Sequence, residues 1–303
     1  MSDLKLVPPG PAKSKAKAKA AQPQTRAEVR RHFAQLARPR VRTIAVTSGK
    51  GGVGKSTIAA NLAVELGALG ARVLLFDGDL AQANLDLLLG LSSRWDLGHV
   101  LRGERTLEQA VIEGPPNVRL VPAASGDRDL ADLDDFRREG LYRELSRLAE
   151  DSDIVLVDTA SGASRLTSSF ARAATELVVV TTPEPTSYSD AYGLLKVLVG
   201  QGLSLTPSLL VNRADSIEEA EEVAHNLASL TRRFLSCNVD SLGAIPDDPA
   251  VGQAVRRQQP VTLAFPKSPA ALAVRKLARR LWADPHDPES RAWPDDGRAR
   301  MSA

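Results

Sequence analysis

The decapeptide "SGKGGVGKST" (48–57) lies between the apolar run "TIAVT" (43–47) and a helical stretch beginning at Lys55, and it constrains the fold more than any other segment. Four glycines in ten residues would unravel a strand or a helix. The segment makes sense as a loop whose backbone N–H groups turn inward on an anion. It fits G-x-x-x-x-G-K-[ST] with Gly49, Gly54, Lys55 and Ser56 in the fixed places. In the order strand, glycine loop, helix, the backbone of Gly49, Lys50, Gly51, Gly52, Val53, Gly54, Lys55, Ser56 and Thr57 cradles phosphate, and the helix N-terminus adds its positive dipole end. Lys55 is then expected to reach the β- and γ-phosphates, and the Ser56 hydroxyl to ligate Mg²⁺. Lys50 is a second lysine that the pattern does not require.

The rest of the chain suits such a loop. Short apolar runs at 43–47, 72–77, 118–122, 153–158, 176–182, 208–212 and 242–246 alternate with helical candidates at 55–69, 135–150, 187–199, 217–235 and 269–283. Continuous apolar runs suit strands covered on both faces. Their alternation with helices predicts an α/β fold, a doubly wound and mostly parallel sheet with helices on both faces. Ligands of such sheets sit beyond the carboxyl ends of the strands, where the loop lies. One domain is expected over 40–283. Ahead of it come a disordered basic leader (1–24) and a short amphipathic helix (25–39) with Val29, Phe33 and Leu36 on one face. After it, 284–303 reads as a proline-rich disordered tail.

With 39 basic residues against 37 acidic, net charge +2, the chain carries no overall mandate to bind nucleic acid. The single cysteine, Cys237, excludes an intrachain disulfide and reads as a small buried residue. No run approaches the ~18 apolar residues that span a bilayer. A cytoplasmic protein is expected.

Two strand ends carry carboxylates. "DIVLVD" ends on Asp158, placed to hold the metal of a bound nucleotide. An aspartate there more often caps a turn, but beside a complete phosphate loop the metal reading leads. "FDGDLAQANLD" places Asp77 and Asp79 past another strand, Asp77 to sense the metal and Asp79 to orient the attacking water. Two turn aspartates are the plainer alternative for that pair.

With these residues in view, "KGGVGKST" resembles the deviant Walker A motif of the MinD/ParA-type ATPases. That resemblance implies that Lys50 crosses an ATP-dependent homodimer interface and neutralises phosphate charge in the partner's site, as an arginine finger does. It extends over roughly 40–283. "DGDLAQANLDLLLGL" (77–91) and "VDTASGAS" (157–164) are similar to the family's two switches. "VTTPEPTSYSDAYGLLKVL" (180–198), "LGAIPDDPAVGQAVRRQQPV" (242–261) and "FPKSPAA" (265–271) resemble its flagellar-number regulator branch, FlhG/FleN. The resemblance further implies that Asn212 reads adenine, with Arg213 beside it and Pro246 and Asp247 against the base. "NRAD" (212–215) also imitates the guanine-reading N-K-x-D, but arginine replaces the lysine, so ATP with Mg²⁺ is the expected ligand.

The implied function is a dimerising ATPase switch with slow hydrolysis that sets the placement or number of a polar structure such as flagella. Its implied partners are a protein of that machine, a transcription factor or an SRP-like GTPase, with recruitment to a cell pole. Two other readings stand beside it. One is a partition ATPase binding DNA through the leader, "AVRRQQP" (254–260) and "VRKLARR" (274–280). The other is an ATP-binding antagonist of a transcription factor with negligible turnover. The helix at 268–282 occupies the place of the last core helix and no separate targeting helix follows, which argues against direct membrane binding. "TRAEVRRHF" (25–33) keeps too little of the branch's GTPase-activating segment to carry that activity. One cysteine cannot hold a shared iron–sulfur cluster, and the four scattered histidines suggest no metal site.

Overall fold

The computed structural model describes residues 41–80, 82–124 and 135–283, so the expected leader, the 25–39 helix and the tail at 284–303 lie outside the described residues. Eight strands form one sheet in the order β3-β4-β2-β5-β1-β6-β7-β8. They are β1 (Arg42–Ser48), β2 (Val73–Gly78), β3 (Ile112–Glu113), β4 (Val118–Val121), β5 (Ile154–Thr159), β6 (Glu176–Thr181), β7 (Ser208–Ala214) and β8 (Asp240–Pro246). Every pairing is parallel except β3 with β4. Seven of the strands are the seven apolar runs of the sequence, shifted by a residue or two at their ends.

Alternate strand residues feed opposite faces, as the twofold repeat of a strand requires. On one face Ile44 and Val46 of β1, Leu75 of β2 and Leu156 of β5 pack under α1 (Lys55–Ala68) and α11 (Pro269–Trp282). On the other, Ala45 of β1 and Val179 of β6 meet α7 (Pro185–Gly200) and α8 (Ile217–Leu235), while Phe76 and Val157 meet α5 (Asp135–Leu148) and α6 (Arg165–Ala173). In α11, Ala270, Val274, Leu277, Ala278 and Leu281 are buried in the α1 layer. Arg275 adds a bidentate pair to Glu65, at 3.0 and 3.2 Å. This last helix is part of the core. Among the described residues no helix is long and apolar enough to cross a membrane.

Several elements have no counterpart in the sequence reading. They are α2 (Leu85–Leu89), α3 (Leu97–Leu101), α4 (Leu107–Ala110), β3, α6, α9 (Pro249–Arg256) and α10 (Val261–Ala264). Helices of four or five residues cannot display a 3.6-residue repeat, so periodicity misses them. Reciprocal capping boxes fix α3 and α4 instead, Asp96 with His99 and Thr106 with Gln109. Cys237 also departs from expectation. It is half-buried in the α8–β8 connection, with Sγ 3.4 Å from the Asn238 carbonyl, because α8 has ended and the chain there runs along the surface.

Candidate functional site

β1 lies between β5 and β6, so the loop leaving its carboxyl end is flanked by the ends of both neighbours. α1 starts directly from that loop. Its N-cap, Gly54, has φ +92° and no side-chain cap, and its first turn contains no acidic residue. The unpaired N–H groups and dipole of a helix left this way favour an anion.

The close approach of other segments explains two of the glycines. A Cβ on Gly49 would fall 2.1 Å from the carbonyl carbon and oxygen of Asp190 in α7. One on Gly54 would fall 2.4 Å from the Asn212 amide nitrogen, on a backbone that L-residues rarely adopt. The segment leaving β5 also touches the loop, since the Gly162 N–H donates to the Ser48 carbonyl at 2.8 Å.

Inside this cradle Lys55 Nζ donates to Asp158 Oδ1 at 2.7 Å and lies 3.4 Å from Ser56 Oγ. The Lys55 side chain is 7% exposed and that of Asp158 fully buried. Burial pushes the Asp158 carboxyl above its ordinary range, against the Lys55 ammonium, which pulls it down. Asp77 stands opposite Asp158 in the β2–β5 register. Its Oδ1 accepts the Asp79 N–H and its Oδ2 the N–H groups of Asn84 and Leu85, so it ties the segment leaving β2 to the start of α2. Burial first, and the Asp158 charge second, push Asp77 up to about 8 despite those bonds. Asp79 is half-buried and its Oδ1 accepts the Gln82 N–H at 3.2 Å.

The raised Asp77 carboxyl has a consequence for stability. Between the ordinary carboxylate value near 4 and about 8, the folded chain holds a proton that the unfolded chain has released. Stability of the nucleotide-free chain therefore falls as pH rises through that window and levels off above it. Urea midpoints from pH 5 to 9 should show the fall, and Asp77→Asn should flatten it. An unchanged slope in the variant would mean that Asp77 is ionised throughout.

Among the described residues no group of three or more His, Cys, Asp or Glu is arranged to hold a metal ion. A Mg²⁺ shared with nucleotide phosphates needs only one or two protein ligands, however. Asp158 Oδ2 is buried without a hydrogen-bond partner, and Ser56 belongs to the same cluster, so the residues present fit such an ion. Asp77 fits less well, because both its oxygens already accept backbone N–H groups.

The structure brings the expected adenine residues together at the ends of β7 and β8. Asn212 Nδ2 donates to the Val53 carbonyl of the loop at 2.7 Å. No other hydrogen bond of that amide is seen among the described residues, which leaves one N–H and the oxygen open. Arg213 is exposed with φ +56°, at the irregularity where β7 and β8 change register. Pro246 pairs with Ala214, and the Asp247 N–H donates to the Ala214 carbonyl at 3.1 Å. A separate cavity of about 680 Å³ runs along the open edge of β8, and of the expected nucleotide residues only Pro246 lines it. The two basic segments are partly spent, Arg275 on Glu65 and Arg257 over the Phe265 ring at 4.8 Å.

Lys50 is at the mouth of the loop, 36% exposed. Its Nζ lies 2.8 Å from Glu184 Oε2 and 2.9 Å from Thr186 Oγ1. Sequence reasoning misses Glu184, Thr186 and Asp190, which stand there only within a resembling segment. The available signal is their place just past β6, the neighbour of β1.

A model of the "CobQ/CobB/MinD/ParA nucleotide binding domain" matches residues 44–261. The chain is 41% identical over 250 residues to the antiactivator FleN of Pseudomonas aeruginosa, covering 82% of this chain and 89% of that one. It is 32% identical over 217 residues to the flagellum site-determining protein YlxH of Helicobacter pylori, covering 71% and 73%. The septum site-determining protein MinD of Pyrococcus horikoshii, solved as a complex with Mg-ADP, superposes with a TM-score of 0.68 at 31% identity, over 80% of this chain and 96% of that one. The phosphate loop, its paired strand ends and these likenesses agree: the chain belongs to the CobQ/CobB/MinD/ParA family of nucleotide-binding proteins.

Proposed function

We propose that this protein is an ATP-dependent dimerising switch with slow hydrolysis, and that its two states govern the placement or number of a polar structure such as flagella. The observation that carries the reading is the pair of lysines in one loop. Lys55 is buried against Asp158, whereas Lys50 is exposed at the mouth, where a second chain can receive it. Likeness to FleN, YlxH and MinD supports ATP turnover in the service of positioning. The output works through a protein partner of that machine.

In this reading the loop backbone and Lys55 bind the β- and γ-phosphates of ATP. Ser56 and Asp158 would hold Mg²⁺, which would supply positive charge against that developing on the phosphates. Asp79 orients the attacking water. Asp77 keeps the first switch segment attached to α2 and reaches the metal only by giving up N–H bonds. Asn212, with Arg213, Pro246 and Asp247, takes the adenine, so ATP binds in preference to GTP. Lys50 supplies positive charge to the partner's γ-phosphate in the transition state.

Lys50→Ala tests this. ATP affinity should stay within about threefold, because the loop and Lys55 remain, while steady-state turnover falls by about 100-fold or more, as when a trans-acting cation is removed. Unchanged turnover would refute the trans role. Light scattering should report dimers of the parent with Mg²⁺ and a non-hydrolysable ATP analogue, and single chains at micromolar concentration would refute the switch.

A further inference from the structure

We propose that Glu184, backed by Thr186, is a resting counter-ion for Lys50, a latch that must open before Lys50 can act across the dimer seam. The inference rests on the trans-lysine reading above and adds what restrains that lysine beforehand. An ammonium group has three N–H donors. Two of them are committed within one chain, at 2.8 Å to Glu184 and 2.9 Å to Thr186. A long side chain that would otherwise sample many rotamers is thereby held beside its own loop.

The acceptor is built rather than incidental. Glu184 stands at the corner between β6 and α7, with Pro185 at the first helical position. Beneath that corner Ser187 Oγ lies 3.0 Å from Thr181 Oγ1 and accepts the Thr182 N–H at 3.0 Å. One turn into the same helix the Asp190 backbone packs against Gly49, leaving no room for a Cβ. Loop and helix are therefore fixed relative to each other, and the carboxylate is already in place when Lys50 arrives. Glu184 makes no cap hydrogen bond to α7, so its visible task is the lysine.

The burial of the two lysine pairs separates their roles. Lys55–Asp158 is 7% and 0% exposed and Lys50–Glu184 is 36% and 58% exposed. An exposed pair is weak and easily exchanged, and a triphosphate presents far more negative charge than one carboxylate. The partner's nucleotide can therefore draw Lys50 away. Glu184, 58% exposed, is then left to water, which an exposed carboxylate tolerates at little cost.

The test is Glu184→Gln, which keeps the shape and removes the charge. Two latches open per dimer. The protein concentration for half-maximal dimerisation with Mg²⁺ and a non-hydrolysable ATP analogue should therefore drop on the order of 5- to 30-fold, and the difference should narrow as salt is raised. In the nucleotide-free chain, limited acetylation read by mass spectrometry should modify Lys50 roughly 2- to 5-fold faster in the variant, because the side chain is no longer held against a carboxylate and is freer to meet the reagent. An unchanged or higher dimerisation midpoint, or unchanged Lys50 acetylation, would overturn the latch. Those results are separate from the failure of the underlying reading, which shows as full turnover in Lys50→Ala whatever Glu184→Gln does.

Discussion

Lys55→Ala is expected to abolish measurable ATP binding and, with no nucleotide present, to lower the stability of the chain by about 3–5 kcal/mol. Loss of binding follows from removing the cation inside the phosphate cradle. The loss of stability follows from what remains. Asp158 is fully buried, its Oδ2 has no hydrogen-bond partner, and the hydrogen bond to its Oδ1 comes from Lys55. Asp77 stands beside it on the neighbouring strand as a second acid. Taking Lys55 away leaves one buried carboxyl facing another with no cation between them. The deficit should be largest at high pH and shrink as pH falls, because Asp158 then takes up a proton and stops being an unpaired charge. Adding Asp158→Asn to the variant should recover most of the stability while binding stays lost. Urea unfolding of the single and double variants from pH 5 to 8 measures both effects. A Lys55→Ala chain as stable as its parent at pH 8 would mean that Asp158 is not ionised there.

The two lysines of the loop differ in what the sequence can say of them. The role of Lys55 follows from its place in a fixed motif, and Asp158 from an apolar run that ends in a carboxylate at the right strand. Both are local patterns. Lys50 is conspicuous as an unneeded cation, but nothing near it names a counter-ion. Glu184 and Thr186 are more than 130 residues away, and they become neighbours only because β6 adds to the far side of β1. Asn212 is similar, with a hydrogen bond to Val53 spanning 159 positions. Asp77 is a third kind of case. It is legible as a carboxylate past a strand, but its three N–H bonds depend on how the chain from Asp79 to Leu85 doubles back. The parallel core is readable because each buried strand is one apolar run. The short pieces from α2 to α4, and β3, are not, since capping and packing on larger neighbours define them. Strand order is thus the missing step between motif and site here: placing β1 between β5 and β6 brings Asp158 and Glu184 to the loop, and placing β7 beyond β6 brings Asn212.

The same dependence on a distant neighbour makes the glycines of the loop unequal: the motif fixes Gly49 and leaves positions 51 and 52 open, and the packing of α7 supplies the reason. Gly49→Ala should destabilise the chain by about 3 kcal/mol and weaken nucleotide binding at least about tenfold. Its Cβ would meet the Asp190 carbonyl at 2.1 Å, a backbone group that no rotamer change can move. Either α7 or the loop must then give way, and the loop carries the phosphate donors. Gly52→Ala should cost only about 1 kcal/mol, from the left-handed backbone alone. At that position φ is +80° and nothing lies within 4 Å of the added carbon. Gly51→Ala should stay within about 0.5 kcal/mol, as for most surface changes. Its Cβ meets only Ser161 Oγ, at an ordinary 3.6 Å. Thermal unfolding and nucleotide titration of the three variants would establish the order. Equal losses at Gly49 and Gly51 would show that the loop's tolerance is set by the bound phosphate and not by the packing of α7 against it.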